Sequence, residues 1–452
     1  MPARSRRLLL SVLLLTPLLA PIPTRSSAAD DKLHGPLRRH PTNPRYFTDN
    51  SGRAILLTGS HTWNNLVDMS PTDPPAAFDY GAYLDWLVDH RHNFFRLWTW
   101  ELLTWDTRGN REKNAAVHHV SPHPWKRTGP GEALDGEPKF DLEQFDERYF
   151  TRLRDRVQAA QDHGLYPAVM LFEGWGLQFS PDAWQNHPFH PGNNINGVDG
   201  DLDGDGKGLE IHTGQSRKIT ELQRAYVRHV IDTVNLFDNV LYEISNENHP
   251  PSTEWQYGMI RFIKEYERGQ PKQHPVGMTF QYKGGSNQVL FDSPADWISP
   301  NPEGGYRDNP PAGDGSKVVI TDTDHLWGIG GNAAWVWKSF LRGLNPIFMD
   351  PYDGAVLGRS ENPQWDAIRT SMGYAATFAK RLDLAHTVPV TDVASTKYCL
   401  VNPGKQYLVF KPTAVLKSFK VTLPAGDYAY EWFNPAQGQS VPGGKVQATG
   451  GK

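Results

Sequence analysis

Residues 239–248 read NVLYEISNEN, one unit of a pattern that repeats along the chain. Val240, Leu241, Tyr242 and Ile244 make a short, mostly apolar run that suits a strand. Polar groups crowd its carboxyl end: Ser245, Asn246, Glu247 and Asn248. On either side lie segments with helical spacing, ITELQRAYVRHVIDTVNLFD (219–238) and TEWQYGMIRFIKEYERG (253–269). A largely apolar strand between amphipathic helices belongs to a parallel sheet whose outer face is covered.

Working outward, the same alternation recurs. Before this strand come AILLTG (54–59), NFFRLWTW (93–100) and LYPAVMLFEG (165–174); after it come PVGMTFQY (275–282), ADWISPN (295–301), KVVITDTD (317–324) and PIFMDPY (346–352). Helical spacing fills 78–90, 145–164 and 332–343. A last helix starts at Asn362-Pro363, a cap followed by proline in the first turn, and runs to about 383. The weakest connection is GGSNQVLFDSP, barely two turns between strands five and six. Eight strands with mostly helical connections predict a (β/α)8 TIM barrel over residues 40–387, in the α/β class. No glycine-rich dinucleotide fingerprint follows the first strand, which disfavours an open sheet. After Pro389 the texture changes to KYCLVNP, QYLVFKP, SFKVTLP and DYAYEWFNP, separated by Pro, Gly and Asn. This predicts a small antiparallel β-sandwich domain at 388–452. The stretches 102–140 and 175–218 carry no pattern that folds them.

Hydrophobic residues are 38% of the 452 and charged residues 21%, enough for a large core and too apolar for a disordered chain. A net charge of −4 argues against a nucleic-acid partner. Fifteen Trp and 17 Tyr offer ring faces for sugar-like ligands, although cores consume aromatics too. At the start, Arg4, Arg6 and Arg7 precede LLLSVLLLTPLLA, and Ser26, Ser27, Ala28 and Ala29 follow. This is the three-part pattern of a signal peptide, residues 1–29, cleaved after Ala29. The run is too short to span a bilayer comfortably and Pro17 breaks it. Four arginines and no acid leave with it, moving the net charge from −4 to −8. The mature chain is expected to be secreted (periplasmic or extracellular), free of the membrane and monomeric. The single cysteine, Cys399, excludes an intramolecular disulfide and reads as a small buried hydrophobe.

Barrels of this kind react at the carboxyl ends of their strands. There the fourth strand offers Asn246 and Glu247, and the seventh offers Asp322, Asp324 and His325. The second carries Arg96 and ends Trp98-Thr99-Trp100-Glu101; the first runs into Ser60-His61-Thr62-Trp63. Two carboxylates on opposed strands suit glycosidic cleavage, one protonating the leaving oxygen while the other attacks or activates water. Glu243 shares the parity of Glu247 and reads as a structural partner of a buried arginine. His61, Trp63, Trp98, Trp100, Trp175, Trp327 and His325 fall near strand ends, where they could touch sugar.

LYEISNENHP resembles the fourth-strand motif of clan A glycoside hydrolases, in which an Asn-Glu pair supplies the acid/base. The resemblance puts the nucleophile on the seventh strand, within TDTDH, and gives Arg96 of NFFRLW the role of orienting it. RYFTDNSGRAILLTGSHTW is similar to the opening of apiosidase-like barrels. Residues 398–433 look like the small domain family named for collagen binding, although nothing in this sequence supports collagen as a ligand. The clan's nucleophile is usually Glu, and here only aspartates stand at that place. Asp322 is favoured, because it follows the apolar strand directly, with Asp324 as substitute; the two share strand parity. The sixth-strand His of many cellulases and an eighth-strand Trp have no counterpart.

The expected activity is therefore a retaining glycoside hydrolase acting on a poly- or oligosaccharide, with no cofactor needed for the chemistry. Two competitors stand beside it: a non-catalytic carbohydrate-binding or adhesion protein on a degenerate barrel, and a barrel metalloenzyme. The second lacks His or Cys at zinc spacing. Separately, Asp199, Asp201, Asp203, Asp205 and Glu210 fit a twelve-residue loop of oxygen ligands and make a structural calcium ion the candidate occupant. No helix clearly precedes that loop, and Gly206 stands where an apolar residue is usual.

Overall fold

The computed structural model describes residues 11–17, 33–109, 114–358, 362–413 and 418–450. Eight strands form one parallel ring. In chain order they are Gly59–His61, Phe94–Leu97, Tyr166–Glu173, Leu241–Asn246, Val276–Thr279, Trp297–Ser299, Val318–Asp322 and Asn345–Met349. Each pairs with the next from the second to the eighth, and the eighth pairs with the first. The seam between strands one and two is tied by the Asn93 N–H donating to the Thr58 carbonyl at 3.0 Å. Here the backbones run so close that a Cβ on Gly59 would lie 2.0 Å from the Phe94 carbonyl oxygen. Only glycine closes the ring at this point.

The helices that cover the ring begin where side chains cap them. Asp146 accepts from the Arg148 N–H, Ser216 from Ile219 and Asn362 from Gln364. Between strands five and six the helix is only Asn287–Asp292, and between six and seven a single 3-10 turn, Glu303–Gly305, appears among the described residues.

The first strand starts later than the apolar run AILLTG suggests. Ile55 donates to the Phe47 carbonyl at 2.8 Å, and the Leu57 N–H goes to the Asn345 side chain at 3.0 Å. Leu57 joins Phe47, Phe94, Leu241, Ile320 and Ile347 in a buried cluster within the ring. Hydrophobicity at 54–57 thus marks a plug, not ladder pairing. The first and second connections also carry structure of their own. Asp68–Ser70, Thr104–Asp106 and Val117–Ser121 form a three-stranded antiparallel sheet, and Trp125–Glu132 pairs with Pro138–Phe145.

The C-terminal domain is a six-stranded antiparallel sheet in the order Val388–Pro389, Cys399–Asn402, Gln406–Lys411, Ser11–Pro17, Gly426–Asn434, Gln439–Ala448. Ser11–Pro17 belongs to the stretch read as a leader. It is paired on both sides, with Leu14 opposite Leu408 and Glu431. Val12 and Leu14 face the barrel helices, where Trp337 stacks on Phe410, while Leu13 and Leu15 face the domain's own core with Cys399 and Val409. An uncharged apolar heptad meets the needs of a leader core and of a strand buried on both faces alike. The rest of the leader pattern, Arg4 to Arg7 and Ser26 to Ala29, lies outside the described residues. No helix among the described residues is long and apolar enough to cross a membrane.

Candidate active site

The carboxyl ends of the barrel strands surround a cavity of about 780 Å³. Beneath it sits the Arg96 guanidinium, 1% exposed, which strand two sends into the ring. Its Nε and Nη2 donate to both oxygens of Glu243 at 2.8 and 2.5 Å, in a fork from strand two to strand four. Nη2 also donates to Asn246 Oδ1 at 2.5 Å. Nη1 donates to Asp322 Oδ2 and Asp324 Oδ2, each at 3.1 Å. One cation therefore serves three carboxylates and an amide.

Strand seven ends at Asp322, whose Oδ1 accepts from the Asp324 N–H at 3.0 Å and caps the short helix Thr323–Trp327. The helical turn carries Asp324 forward, so the two aspartates take different places. Asp322 is fully buried and does not line the cavity; Asp324 does. His61 also lies below the cavity. Its Nδ1 accepts from Trp98 Nε1 at 2.9 Å, which leaves the proton on Nε2 to donate to Asp322 at 2.8 Å. The site thus takes His61 as a partner of Asp322 and keeps it off the cavity wall.

Charge divides the carboxyls. His61 and Arg96 offset the burial of Asp322 and hold its carboxyl well below the usual range. Burial and the Asp322 charge push Asp324 up to about 6. Burial and the nearby Asp324 raise Glu247 well above the usual range. Glu247 closes strand four with φ +42, a left-handed conformation that a side chain adopts only at a cost, and it lines the cavity. Burial keeps His325 neutral, with a pKa lowered to about 3; its Nδ1 meets Ser299 Oγ at 2.7 Å.

Asn246, His325, Trp63, Trp98, Trp100, Trp175 and Trp327 all line the cavity. Sequence reasoning missed Glu173, which ends strand three inside the same cavity. Its oxygens accept from the Trp175 and Gly176 N–H groups at 2.9 and 2.6 Å, and burial pushes its pKa up to about 8. The signal was present: LYPAVMLFEG ends in an acid just as strands four and seven do. Behind it, Glu101 accepts the Glu173 N–H at 2.8 Å and stands 3.5 Å from both His187 and His212. Trp105, Tyr282, Lys283 and Arg307 complete the part of the wall that the sequence left open.

Among the described residues, two groups could hold a metal. Asp322, Asp324 and His325 bring ligand atoms within 4.8 Å of one another, but Arg96 Nη1 already bridges the two aspartates from the position a cation would need. In the acidic loop, Asp201, Asp203 and Glu210 converge within 4.8 Å. Asp199 and Asp205 do not join them. Asp199 accepts from the Asp201 N–H, while Asp205 is engaged by Lys207 through both backbone and side chain. Of the five expected ligands, Asp201, Asp203 and Glu210 thus face one another, while Asp199 and Asp205 are engaged by neighbouring groups of the loop.

The profile of a family described as Domain of unknown function (DUF6298) matches residues 91–293, which include Arg96, Glu173, Asn246 and Glu247. No curated protein matches the chain in sequence. Among solved structures, a glycoside hydrolase family 5 protein from Bacteroides vulgatus ATCC 8482 superposes with a TM-score of 0.60 at 11% identity, covering 94% of this chain and 91% of that one. A second structure, described as a glycoside hydrolase, gives a TM-score of 0.56 at 11% identity, covering 92% of each chain. The chain shares the barrel fold of these two structures, and an antiparallel β domain follows it.

Removing Arg96 would strand three buried carboxylates. Arg96→Met should cost about 3–5 kcal/mol at pH 7, the penalty for leaving buried charge unpaired. Without the guanidinium the folded-state carboxyl pKa values rise, so stability is retained at low pH and lost as pH climbs through them. Urea denaturation of wild type and variant between about pH 4 and 7 checks this: the deficit should shrink toward the acid end. A deficit independent of pH would show that Arg96 acts by packing instead.

Proposed function

We propose that the protein is a secreted retaining glycoside hydrolase, with Glu247 as acid/base and Asp324 as nucleophile. The observation that carries this reading is that these two carboxyls, placed by the ends of strands four and seven, line one aromatic cavity, where the Asp324 charge adds to burial in raising the pKa of Glu247. Asp324 attacks the anomeric carbon while Glu247 protonates the departing oxygen. Glu247 then takes a proton from the water that releases the sugar. Asp324 is preferred to Asp322, which is occupied by His61, Arg96 and its own helix cap. Arg96 steadies the ionised nucleophile, and the tryptophans offer stacking faces to pyranose rings.

Glu247→Gln and Asp324→Asn should each lower kcat/KM on a cleavable glycan by at least about 10²–10⁴-fold while leaving the fold intact. Wild-type kcat/KM should rise with pH through about 6, as Asp324 ionises, and fall where Glu247 loses its proton. Asp322→Asn should remain active with its acid limb moved to lower pH, since the Asp322 charge adds to burial in raising Asp324. An inactive Asp322→Asn beside an active Asp324→Asn would exchange their roles, and an active Glu247→Gln would remove the mechanism.

We further propose that Asp201, Asp203 and Glu210 bind calcium and order the third loop. Glu210 carries a pKa raised by burial and by Asp203, a repulsion that a divalent cation would relieve. Calorimetric titration of chelator-treated protein should show uptake of one calcium, lost in Glu210→Gln.

Export is proposed from the leader pattern. The exported chain should have an intact mass that lacks residues 1–29, and so should surrender the Ser11–Pro17 strand. A mass that includes those residues would overturn the export reading and keep the sheet complete.

A further inference from the structure

Two cations stand on the wall of a cavity whose floor is otherwise acidic: Lys283, from the loop after strand five, and Arg307, from the loop after strand six. These strands lie between strand four, which carries Glu247, and strand seven, which leads to Asp324. The two loops are fastened together, with Asn301 Nδ2 donating to the Gly285 carbonyl at 2.9 Å and the Asn287 N–H donating to Glu303 at 2.8 Å. The Tyr282 N–H donates to the Asn248 carbonyl at 3.1 Å, which ties Lys283 to the end of strand four.

Lys283 adopts φ +53, next to Gly284 at φ +114. A lysine in the left-handed region costs free energy that glycine or asparagine would largely avoid, so something other than the turn accounts for it. Its Nζ lies 4.6 Å from the centre of the Phe179 ring and forms no ion pair among the described residues. Arg307 pairs, among the described residues, with its neighbour Asp308, 3.3 Å from Nε, whose side chain is 78% exposed. That pair is too exposed to hold the guanidinium strongly, and its Nη groups have no protein acceptor among the described residues. Glu303 is engaged by the Asn287 N–H, and does not neutralise either cation.

We propose that Lys283 and Arg307 form a subsite for an anionic sugar, through a carboxylate or a sulfate ester, so that the substrate is an acidic glycan. This rests on the reading of the cavity as a glycosidase site. A planar guanidinium on the cavity wall and a mobile ammonium over the Phe179 and Tyr282 rings suit an anionic group on a sugar whose apolar face stacks on the wall's aromatics.

Binding separates this inference from the chemistry. The non-hydrolysing Glu247→Gln protein is titrated calorimetrically with a galacturonate oligosaccharide, its carboxyl-reduced counterpart, and a sulfated galactose oligosaccharide. At least one charged probe should bind about tenfold more tightly than the neutral one, the worth of a charge-assisted hydrogen bond. Which of them does so identifies carboxylate or sulfate. The ratio should fall toward one in Lys283→Met/Arg307→Gln, and in about 0.5 M salt, where exposed charges are screened. Equal affinity for charged and neutral probes, or binding of none, overturns the proposal. The glycosidase reading fails separately, if wild type releases no reducing ends from acidic or neutral glycans.

Discussion

One guanidinium holds the centre of this barrel. Arg96 is buried where an uncompensated charge would be ruinous, and the ring answers with Glu243, Asn246, Asp322 and Asp324. The compensation overshoots, because one cation cannot neutralise three carboxylates. Glu243 takes the fork, and Asp322 takes Nη1 together with the His61 proton. The remaining deficit falls on Asp324 and, through it, on Glu247. Their pKa values rise first because both are buried, then because of the neighbouring carboxylate charge, which Arg96 only partly offsets. A structural ion pair and a titrating pair are thus two halves of the same electrostatic balance.

Much of this was legible in the sequence because strand-terminal position is a one-dimensional property. The alternation of apolar strands and amphipathic helices fixes the barrel, and the barrel fixes where reacting groups stand. That rule pointed to Glu247, Asn246 and the tryptophans, while the part given to Arg96, which lies within its strand, came from the resemblance of NFFRLW. Asp322 and Asp324 could not be separated, because they differ by two residues and strand parity is blind to that interval. The difference arises where the strand stops: Asp322 caps a helical turn, and Asp324 rides on it into the cavity. His61 was placed correctly at a strand end and misjudged in depth, since only coordinates reveal that Trp98 donates to one of its nitrogens.

Other features escaped for different physical reasons. The apolar run at 54–57 fills the ring instead of joining the ladder, and hydrophobicity cannot tell a plug from a strand. The hairpin 125–132/138–145 has no clean alternation; its exposed face carries Lys126, Glu132 and Glu137, and Gly129 and Gly131 interrupt it. Ser11–Pro17 pairs with segments some four hundred positions away, a distance over which no local pattern reports. The acidic loop shows the converse. Spacing announced five ligands, and the backbone brings three together, while Asp199 and Asp205 are engaged by neighbouring groups of the loop.

The aromatic wall is also part of the electrostatics. Trp98 lines the cavity, lies 4.6 Å over the Arg96 guanidinium, stacks on His61 and donates to its Nδ1. That donation fixes the tautomer that lets His61 give its proton to Asp322, which in turn sets the charge felt by Asp324. A single indole therefore couples the surface available to a sugar ring with the ionisation of the carboxyl expected to attack it. Changing it to a residue of similar area without an N–H would preserve the stacking face and free His61 to adopt the other tautomer. Asp322 would then lose a donor and the sharing of Arg96 would shift. In a ring this tightly packed, substrate platform and charge relay cannot be varied independently, which accounts for a tryptophan at a position where size alone would admit phenylalanine.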